Sequence, residues 1–383
     1  MTRLQWRTAG ESHGIGLVAI VEGIPAGLPL DTGRIDEQLA RRQRGYGRGG
    51  RMKIERDRVE ILAGTKGGLT LGSPVALLVA NKDHTIEQLP VPTNPRPGHA
   101  DLAGCQKFGH RDPRAILERA SARETAARVA AAAVARQVLE AFGVEIFAHV
   151  VELGGEAVRE GAYEAAGSDR HTLRDASDFL SLDPAADVAM RAAVDRARAA
   201  GDSLGGVFEV RATGLPPGLG SYASGPERLT ARLAAALFAV PAIKGVEFGL
   251  GFAGAAMPGS EVHDPIVHAP AGNRPWGRFA RSRNGAGGLE GGMTNGAPVV
   301  VRAAMKPIPT LRQGMPTVDF ESGEAVQATY QRSDVTSVPA ASVVGEAVIA
   351  LALTEAFLDK FGGDSMAQVR AAFDYYVEEL GRL

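Results

Sequence analysis

Residues 121–142 constrain the fold more than any other stretch of the chain. They hold nine alanines, with Val129, Val134 and Val138 completing a small apolar surface at helical spacing. Ser121 and Glu124 stand in capping-box register, which predicts a helix starting at Ser121. Small side chains let two helix axes approach closely, so this helix needs a tightly packed partner. A second long helix reads over 339–361, with Pro339 in its first turn and Gly362-Gly363 as its stop.

The remaining pattern mixes the two periodicities. Segments 15–21, 59–62, 74–79, 144–153, 205–212, 244–248 and 299–305 read as strands, and 31–42, 184–199, 227–238 and 365–380 as helices. The stretch 81–114 reads as a long polar, turn-rich connection. No Ser/Gly-rich or Pro-rich linker divides the chain and no repeat of 20–50 residues recurs, so residues 1–383 are expected to form a single α+β domain. The Gly-, Pro- and His-rich segment 251–283 is expected to be a mobile insertion within it.

Hydrophobic residues make up 45% of the 383 residues and charged residues 22%, enough apolar material for one large core. A net charge of -2 argues against a protein whose main task is neutralising nucleic acid or an anionic membrane. The single cysteine, Cys105, excludes an intrachain disulfide and a multi-cysteine metal site, which fits a reducing compartment. Residues 1–13 lack an apolar core of signal-peptide length, and no uncharged apolar run reaches the roughly 18 residues of a membrane span. The expectation is a cytoplasmic protein.

Arginine outnumbers lysine 35 to 7, so only clusters free of acidic neighbours carry functional weight. One runs Arg41-Arg42-Gln43-Arg44-Gly45-Tyr46-Gly47-Arg48-Gly49-Gly50-Arg51-Met52-Lys53, with six basic residues and no carboxylate. Guanidinium forks bind phosphate or carboxylate in pairs of hydrogen bonds, and glycines let the backbone approach a ligand. The alternative is a solvated basic loop. Gly45-x-Gly47-x-x-Gly50 spells a dinucleotide fingerprint, but it follows a helix rather than a strand and that reading is discarded. RNA binding lacks the aromatic platforms and overall basicity it needs.

Two further clusters follow. Arg96-Pro97-Gly98-His99-Ala100-Asp101 leads to Glu118-Arg119-Ala120-Ser121-Ala122-Arg123-Glu124-Thr125, where a helix start offers free N–H groups to an anion, or Ser121 merely caps its helix. Gln331-Arg332-Ser333-Asp334 sets Arg332 and Asp334 on one side of an extended segment, as base and anion clamp or as a surface ion pair. His13, in Gly10-Glu11-Ser12-His13-Gly14, and His99 both lie in turns, where an imidazole of pKa about 6.5 can serve as an acid near neutral pH or hold a structural contact. Walker A, His-Glu-x-x-His, nucleophile-elbow and paired-cysteine motifs are all missing, so no metal is expected.

In this order and together, these blocks resemble the chorismate synthase family over nearly the whole chain, and Pro241-Ala242-Ile243-Lys244-Gly245-Val246-Glu247, Gly287-Gly288-Leu289-Glu290-Gly291-Gly292 and Lys306-Pro307 fit it as well. The resemblance implies a carbon–oxygen lyase that converts 5-enolpyruvylshikimate-3-phosphate to chorismate by 1,4-anti elimination of phosphate, the last step of the shikimate pathway to chorismate. Reduced FMN (FMNH2) is implied as a cofactor without net redox change, and NADPH only if the enzyme reduces its own flavin. A sandwich of central helices between antiparallel sheets, and a homotetramer, are implied too.

By the same resemblance His13 would protonate the departing phosphate, His99 would sit by the reduced flavin and hold its protonation state, and Asp334 would help pass the substrate proton through the flavin. Arg42, Arg48, Arg123 and Arg332 would surround the substrate, with Arg42, Arg48 and Arg332 also reaching the flavin. Arg119, Ala120, Ser121, Pro241, Ala242, Gly291, Lys306, Pro307, Ile308, Pro309 and Thr310 would line the cofactor. Pro309 departs from the small hydroxyl residue expected after Lys-Pro-Ile, so one flavin hydrogen bond would come from elsewhere.

Overall fold

Alternation of side chains builds two antiparallel sheets in the computed structural model, which describes residues 4–49, 56–270, 275–329 and 334–382. The first sheet is ordered Gln5–Ala9, Gly16–Glu22, Val75–Ala80, Glu60–Ala63. Its two central strands pair Leu17 with Val79, Ala19 with Leu77 and Val21 with Val75, and all six side chains are buried. The period of two in the sequence thus becomes one apolar face. That face lies against the helix Thr125–Glu140.

The second sheet is ordered Ile243–Phe248, Val299–Met305, Gly206–Thr213, Glu145–Leu153, Glu156–Ala157. Ile146 faces Ala212 and Ala148 faces Val210 across one strand pair, while Val301 faces Val210 and Ala303 faces Phe208 across the next. This buried face lies against the long helix Val338–Phe361. The two helices then pack on each other, and their buried residues, among them Ala130, Ala131, Ala135, Ala347 and Ala350, belong to one cluster. Thr354 Oγ1 donates across the seam to the Ala135 carbonyl at 3.1 Å, and back to Ala350 at 2.7 Å.

Closeness recurs where the long helix meets the second sheet. A Cβ on Gly345 would stand 2.2 Å from Cε2 of the fully buried Phe208 ring, so glycine is required there by space alone. The next residue, Glu346, is 1% exposed and is held by Arg41 at 2.9 Å and 3.0 Å, by Arg136 and by the backbone N–H of Ala148 at 2.9 Å. One carboxylate therefore joins the helix Thr32–Arg42, the alanine helix and the second sheet to the long helix. Burial works against its charge, yet Arg41, Arg136 and Arg174 hold it far below the usual carboxylate range.

The long helix is also apolar enough to cross a membrane by length and composition, with a mean hydropathy of 1.7, but 94% of that window is buried inside the protein. Its uniformly apolar circumference is that of a helix enclosed on all sides.

Local structure departs from the sequence expectations at two places. The capping box does not form. Instead the helix Arg114–Ala120 stops, Ser121 is extended (φ -63°, ψ 144°) and caps a single turn of 3-10 helix, and the alanine helix begins at Thr125. Glu124 faces Thr8 Oγ1 at 2.8 Å and Arg128 at 2.9 Å rather than returning to the cap. Second, the polar stretch 81–114 contains the helix Asp101–Phe108, which packs on Arg114–Ala120. Within 251–283 the chain forms two short helices, Gly251–Gly254 and Gly259–Val262, and a hairpin pairing Ile266–His268 with Phe279–Arg281.

Removing the charge of Glu346 leaves three arginines facing a neutral group, and breaking a buried ion cluster from one side costs about 3–5 kcal/mol. Its folded pKa is depressed, so its contribution is complete above the unfolded value of about 4.3 and is lost as pH falls below that. Urea unfolding should therefore show Glu346→Gln well below the native chain at pH 7, with the gap narrowing at pH 3. A constant gap would contradict this assignment.

Candidate functional site

Three carboxylates, none of them singled out by the sequence, organise the predicted site. The first is Asp57, fully buried between two guanidinium groups: Arg123 Nη1 donates to Oδ1 at 2.5 Å and Arg42 Nη1 to Oδ2 at 3.4 Å. Arg42 also reaches Thr125 Oγ1 at 3.0 Å and the Ala122 carbonyl at 3.3 Å, so the end of its helix is fastened to the start of the alanine helix. Burial lowers the Arg42 guanidinium to about 10, with Arg123 and Arg48 adding to the effect against the pull of Asp57. Arg42 stays charged at neutral pH, and both arginines are more deeply placed than a solvated loop would allow.

Asn81 connects this pair to the His13 loop. Its Oδ1 accepts from Arg123 Nε at 2.8 Å, while its Nδ2 donates to the carbonyls of Glu11 at 3.1 Å and Gly14 at 2.8 Å.

The second carboxylate is Glu118, 1% exposed. His13 Nδ1 lies 3.1 Å and 3.0 Å from its two oxygens, and the His13 backbone N–H donates to Oε2 at 2.9 Å. Arg114 Nη1 donates to Oε1 at 3.1 Å. Burial opposes the charge on Glu118, but the hydrogen bonds from His13 and Arg114 hold its pKa below the ordinary value. The other ring nitrogen of His13 faces Asp83 at 3.9 Å. Ser121 Oγ donates to Ser12 Oγ at 3.2 Å beside it, and Arg119 latches the same loop through the carbonyls of Gly10 at 3.0 Å and Thr8 at 2.8 Å. Ala120 precedes the break at Ser121.

The third is Asp101. His99 Nδ1 lies 2.5 Å from its Oδ1, and Arg96 donates to it at 2.8 Å and 3.1 Å. Burial again works against ionisation, and His99 and Arg96 together hold the group far below its usual range. Arg96 Nη1 also reaches Thr310 Oγ1 at 3.2 Å, and Lys306 Nζ donates to the Gly98 carbonyl at 2.5 Å. The histidine turn and the Lys306-Pro307-Ile308-Pro309-Thr310 run, some two hundred residues apart in sequence, are thus one assembly. Ser203 Oγ fixes the Ile308 carbonyl at 2.6 Å, and the Lys306 N–H donates to the Ala242 carbonyl at 3.0 Å.

Ala242, next to Pro241, is left-handed (φ +69°), a conformation that costs a non-glycine residue on the order of 1–2 kcal/mol and concentrates at functional sites. Gly291 turns the short hairpin of Leu289–Glu290 and Met293–Thr294.

Asp334 meets the basic loop directly: the Gly49 N–H donates to Oδ1 at 2.5 Å, Arg48 Nε lies 3.0 Å from Oδ2, and Ser337 Oγ donates to Oδ2 at 2.8 Å. Of the remaining site expectations, Arg332 lies outside the described residues, as do Gly50 to Lys53 of the basic loop.

Chains of known identity decide what this constellation belongs to. A sequence model of the family described as Chorismate synthase matches residues 4–358. This chain belongs to the chorismate synthase family. The chorismate synthase of Desulforudis audaxviator is 54% identical over 98% of both chains, and that of Rubrobacter xylanophilus is 52% identical over 99% of this chain and 98% of its own. A crystal structure of chorismate synthase superposes with a TM-score of 0.82 at 42% identity, covering 100% of this chain and 99% of that one. The chain is thus an enzyme of the carbon–oxygen lyase class in the shikimate pathway of aromatic amino acid biosynthesis, acting on a small molecule.

Asp57 and Asn81 escaped the sequence reading because each acts on residues 15 to 70 positions away, and no motif surrounds either. Glu118 and Asp101 stood inside quoted blocks, and their depth of burial alone marks them as organisers. A cleft of about 500 Å³ opens elsewhere, lined among others by Arg34, Arg41, Arg136, Glu140, His171 and Arg174. Its deep arginines already face Glu346, Glu140 and Asp175, so it offers a small anion less than the Asp57 and Glu118 region does.

Asp57→Asn would leave two buried guanidinium groups without their shared counter-charge, an expected loss of about 3–5 kcal/mol in urea unfolding. Added sulfate should recover part of that loss. Equal midpoints for the variant and native chains would show that the arginines do not depend on Asp57.

Proposed function

We propose that this enzyme eliminates phosphate from 5-enolpyruvylshikimate-3-phosphate in the 1,4-anti sense to give chorismate, with reduced FMN required and no net redox change. The observation that carries this reading is the union of an oriented imidazole, His13 on Glu118, with the Arg42–Asp57–Arg123 fork through Asn81. A substrate bearing a phosphate and two carboxylates calls for such a group of guanidinium donors around a proton source.

His13 delivers a proton from its outer ring nitrogen to the phosphate oxygen as the carbon–oxygen bond breaks, and the bond electrons leave on that oxygen. Arg42, Arg48, Arg123 and Arg332 hold and neutralise the anionic groups. Asp334, paired with Arg48 and the Gly49 N–H, serves as a carboxylate that can take up the proton lost from carbon.

The residues around His99 fit FMN. Lys306 supplies an ammonium with donors beyond its bond to Gly98, Thr310 a hydroxyl, and the strained Ala242 turn a fixed backbone. Arg119, Ser121, Pro241, Gly291 and the 307–309 backbone complete the set. When bound, the reduced flavin supplies electron-rich chemistry that these side chains lack.

The protein is further proposed to be a single domain in which the two core helices are sandwiched between the antiparallel sheets, supported by the packing of the alanine helix on the first sheet and of the long helix on the second. Segment 251–283 is proposed as its mobile insertion. A cytoplasmic homotetramer with no nucleic-acid or membrane partner, using flavin reduced elsewhere rather than by its own NADPH oxidation, completes the proposal.

Anaerobic turnover with chemically reduced FMN tests it. Chorismate and phosphate should form in excess of flavin, with the flavin still reduced at the end and no product from oxidised FMN. Stoichiometric flavin oxidation would contradict it. In the same assay His13→Ala and His99→Ala should each lower kcat by about 10²–10⁴-fold while FMN affinity stays within a few-fold, and full activity in either would remove that acid role.

A further inference from the structure

We propose that Glu118 is a positioning residue that fixes which nitrogen of His13 carries the transferable proton. The inference rests on the reading of His13 as the acid toward the leaving phosphate. The Glu118 carboxylate lies within 3.1 Å of Nδ1 through both oxygens, and one of these also accepts the His13 backbone N–H at 2.9 Å. Ring and backbone are therefore held by the same group, which favours the ring orientation with Nδ1 toward Glu118.

A carboxylate can only accept, so Nδ1 must keep its hydrogen in both the neutral and the charged ring. The proton that moves is then the one on Nε2. After transfer to the phosphate oxygen, the ring is left neutral with its hydrogen on Nδ1, still bonded to Glu118.

Glu118 is suited to this by its own surroundings. It is 1% exposed and sits on the helix Arg114–Ala120, one turn after Arg114, whose guanidinium holds Oε1 at 3.1 Å. Arg114 is itself anchored by the Pro90 carbonyl at 2.6 Å. Among the described residues, Glu118 faces the ring at Nδ1 and Asp83 lies on the other side, 3.9 Å from Nε2. The backbone N–H of Ser12 donates to the Glu118 carbonyl at 3.0 Å, so the loop is tied to this helix independently of the side chain.

Glu118→Gln separates geometry from chemistry. The amide keeps the shape but can present an N–H to Nδ1, which favours hydrogen on Nε2 in the neutral ring and leaves Nδ1 as the acceptor. In the full chain with FMN bound and histidine labelled with ¹⁵N, the His13 signal, identified by its loss in His13→Ala, should show hydrogen on Nδ1 in the native protein and a shift to Nε2 in Glu118→Gln. The kcat for phosphate release should fall on the order of 10²-fold or more, with KM within a few-fold. Glu118→Asp, which keeps an acceptor-only group, should retain the native tautomer and recover part of kcat, while unfolding midpoints report any loss of fold.

An unchanged tautomer in Glu118→Gln, or a fall in kcat without any tautomer change, overturns the positioning role. A changed tautomer with full kcat overturns instead the acid role of His13, so the two failures are told apart.

Discussion

Close approach between the alanine helix and the long core helix is the constraint on which the rest depends. The alanines of the first helix permit that approach, and it brings the beginnings of both helices to one region. Arg42 is bonded to Thr125, the first residue of the alanine helix. Gly45, in the left-handed region at φ +118°, would place a Cβ 3.0 Å from Pro339 in the first turn of the long helix. The basic loop thus passes over two helix starts, where unpaired N–H groups and aligned peptide dipoles favour anions. Asp334 enters from the chain just before the long helix and Arg123 from just before the alanine helix, so helix packing sets the location of the charged groups.

Burying so many arginines would be ruinous without carboxylates to match. Each deep guanidinium group here has one: Asp57 for Arg42 and Arg123, Glu346 for Arg41 and Arg136, Glu118 for Arg114, Asp101 for Arg96. The clusters differ in what else they hold. Among the described residues Glu346 faces only arginines and backbone and joins structural elements, whereas Glu118 and Asp101 each also hold an imidazole. An acceptor-only group beside a histidine defines which ring nitrogen keeps its hydrogen.

Much of this was legible in the sequence because its causes are local. The strand Val299–Met305 is found where period two placed it, and the helix Thr32–Arg42 begins with Asp31 accepting from the Gly33 N–H at 2.8 Å. The break at Ser121 was not legible, since the capping-box spacing points to an unbroken helix and only Thr8, Arg128 and the pull on Arg123 toward Asp57 explain another outcome. The edge strand Gln5–Ala9 and the helix Asp101–Phe108 were missed for a similar reason: their stability comes from neighbours, not from their own composition. Histidines and arginines announced themselves as residue types. The carboxylates that orient them did not, because a buried acid and a surface acid look the same in a sequence.

A crystal structure with oxidised FMN and 5-enolpyruvylshikimate-3-phosphate bound tests the central claim most directly, that the His13, Arg42, Arg123 and His99 networks form a single active site. The account expects the substrate phosphate within hydrogen-bond reach of His13 and the flavin in contact with His99 and the Lys306-to-Thr310 run. Ligands seated instead in the cleft lined by Arg34, Arg136 and Arg174, with the His13 network untouched, would contradict it.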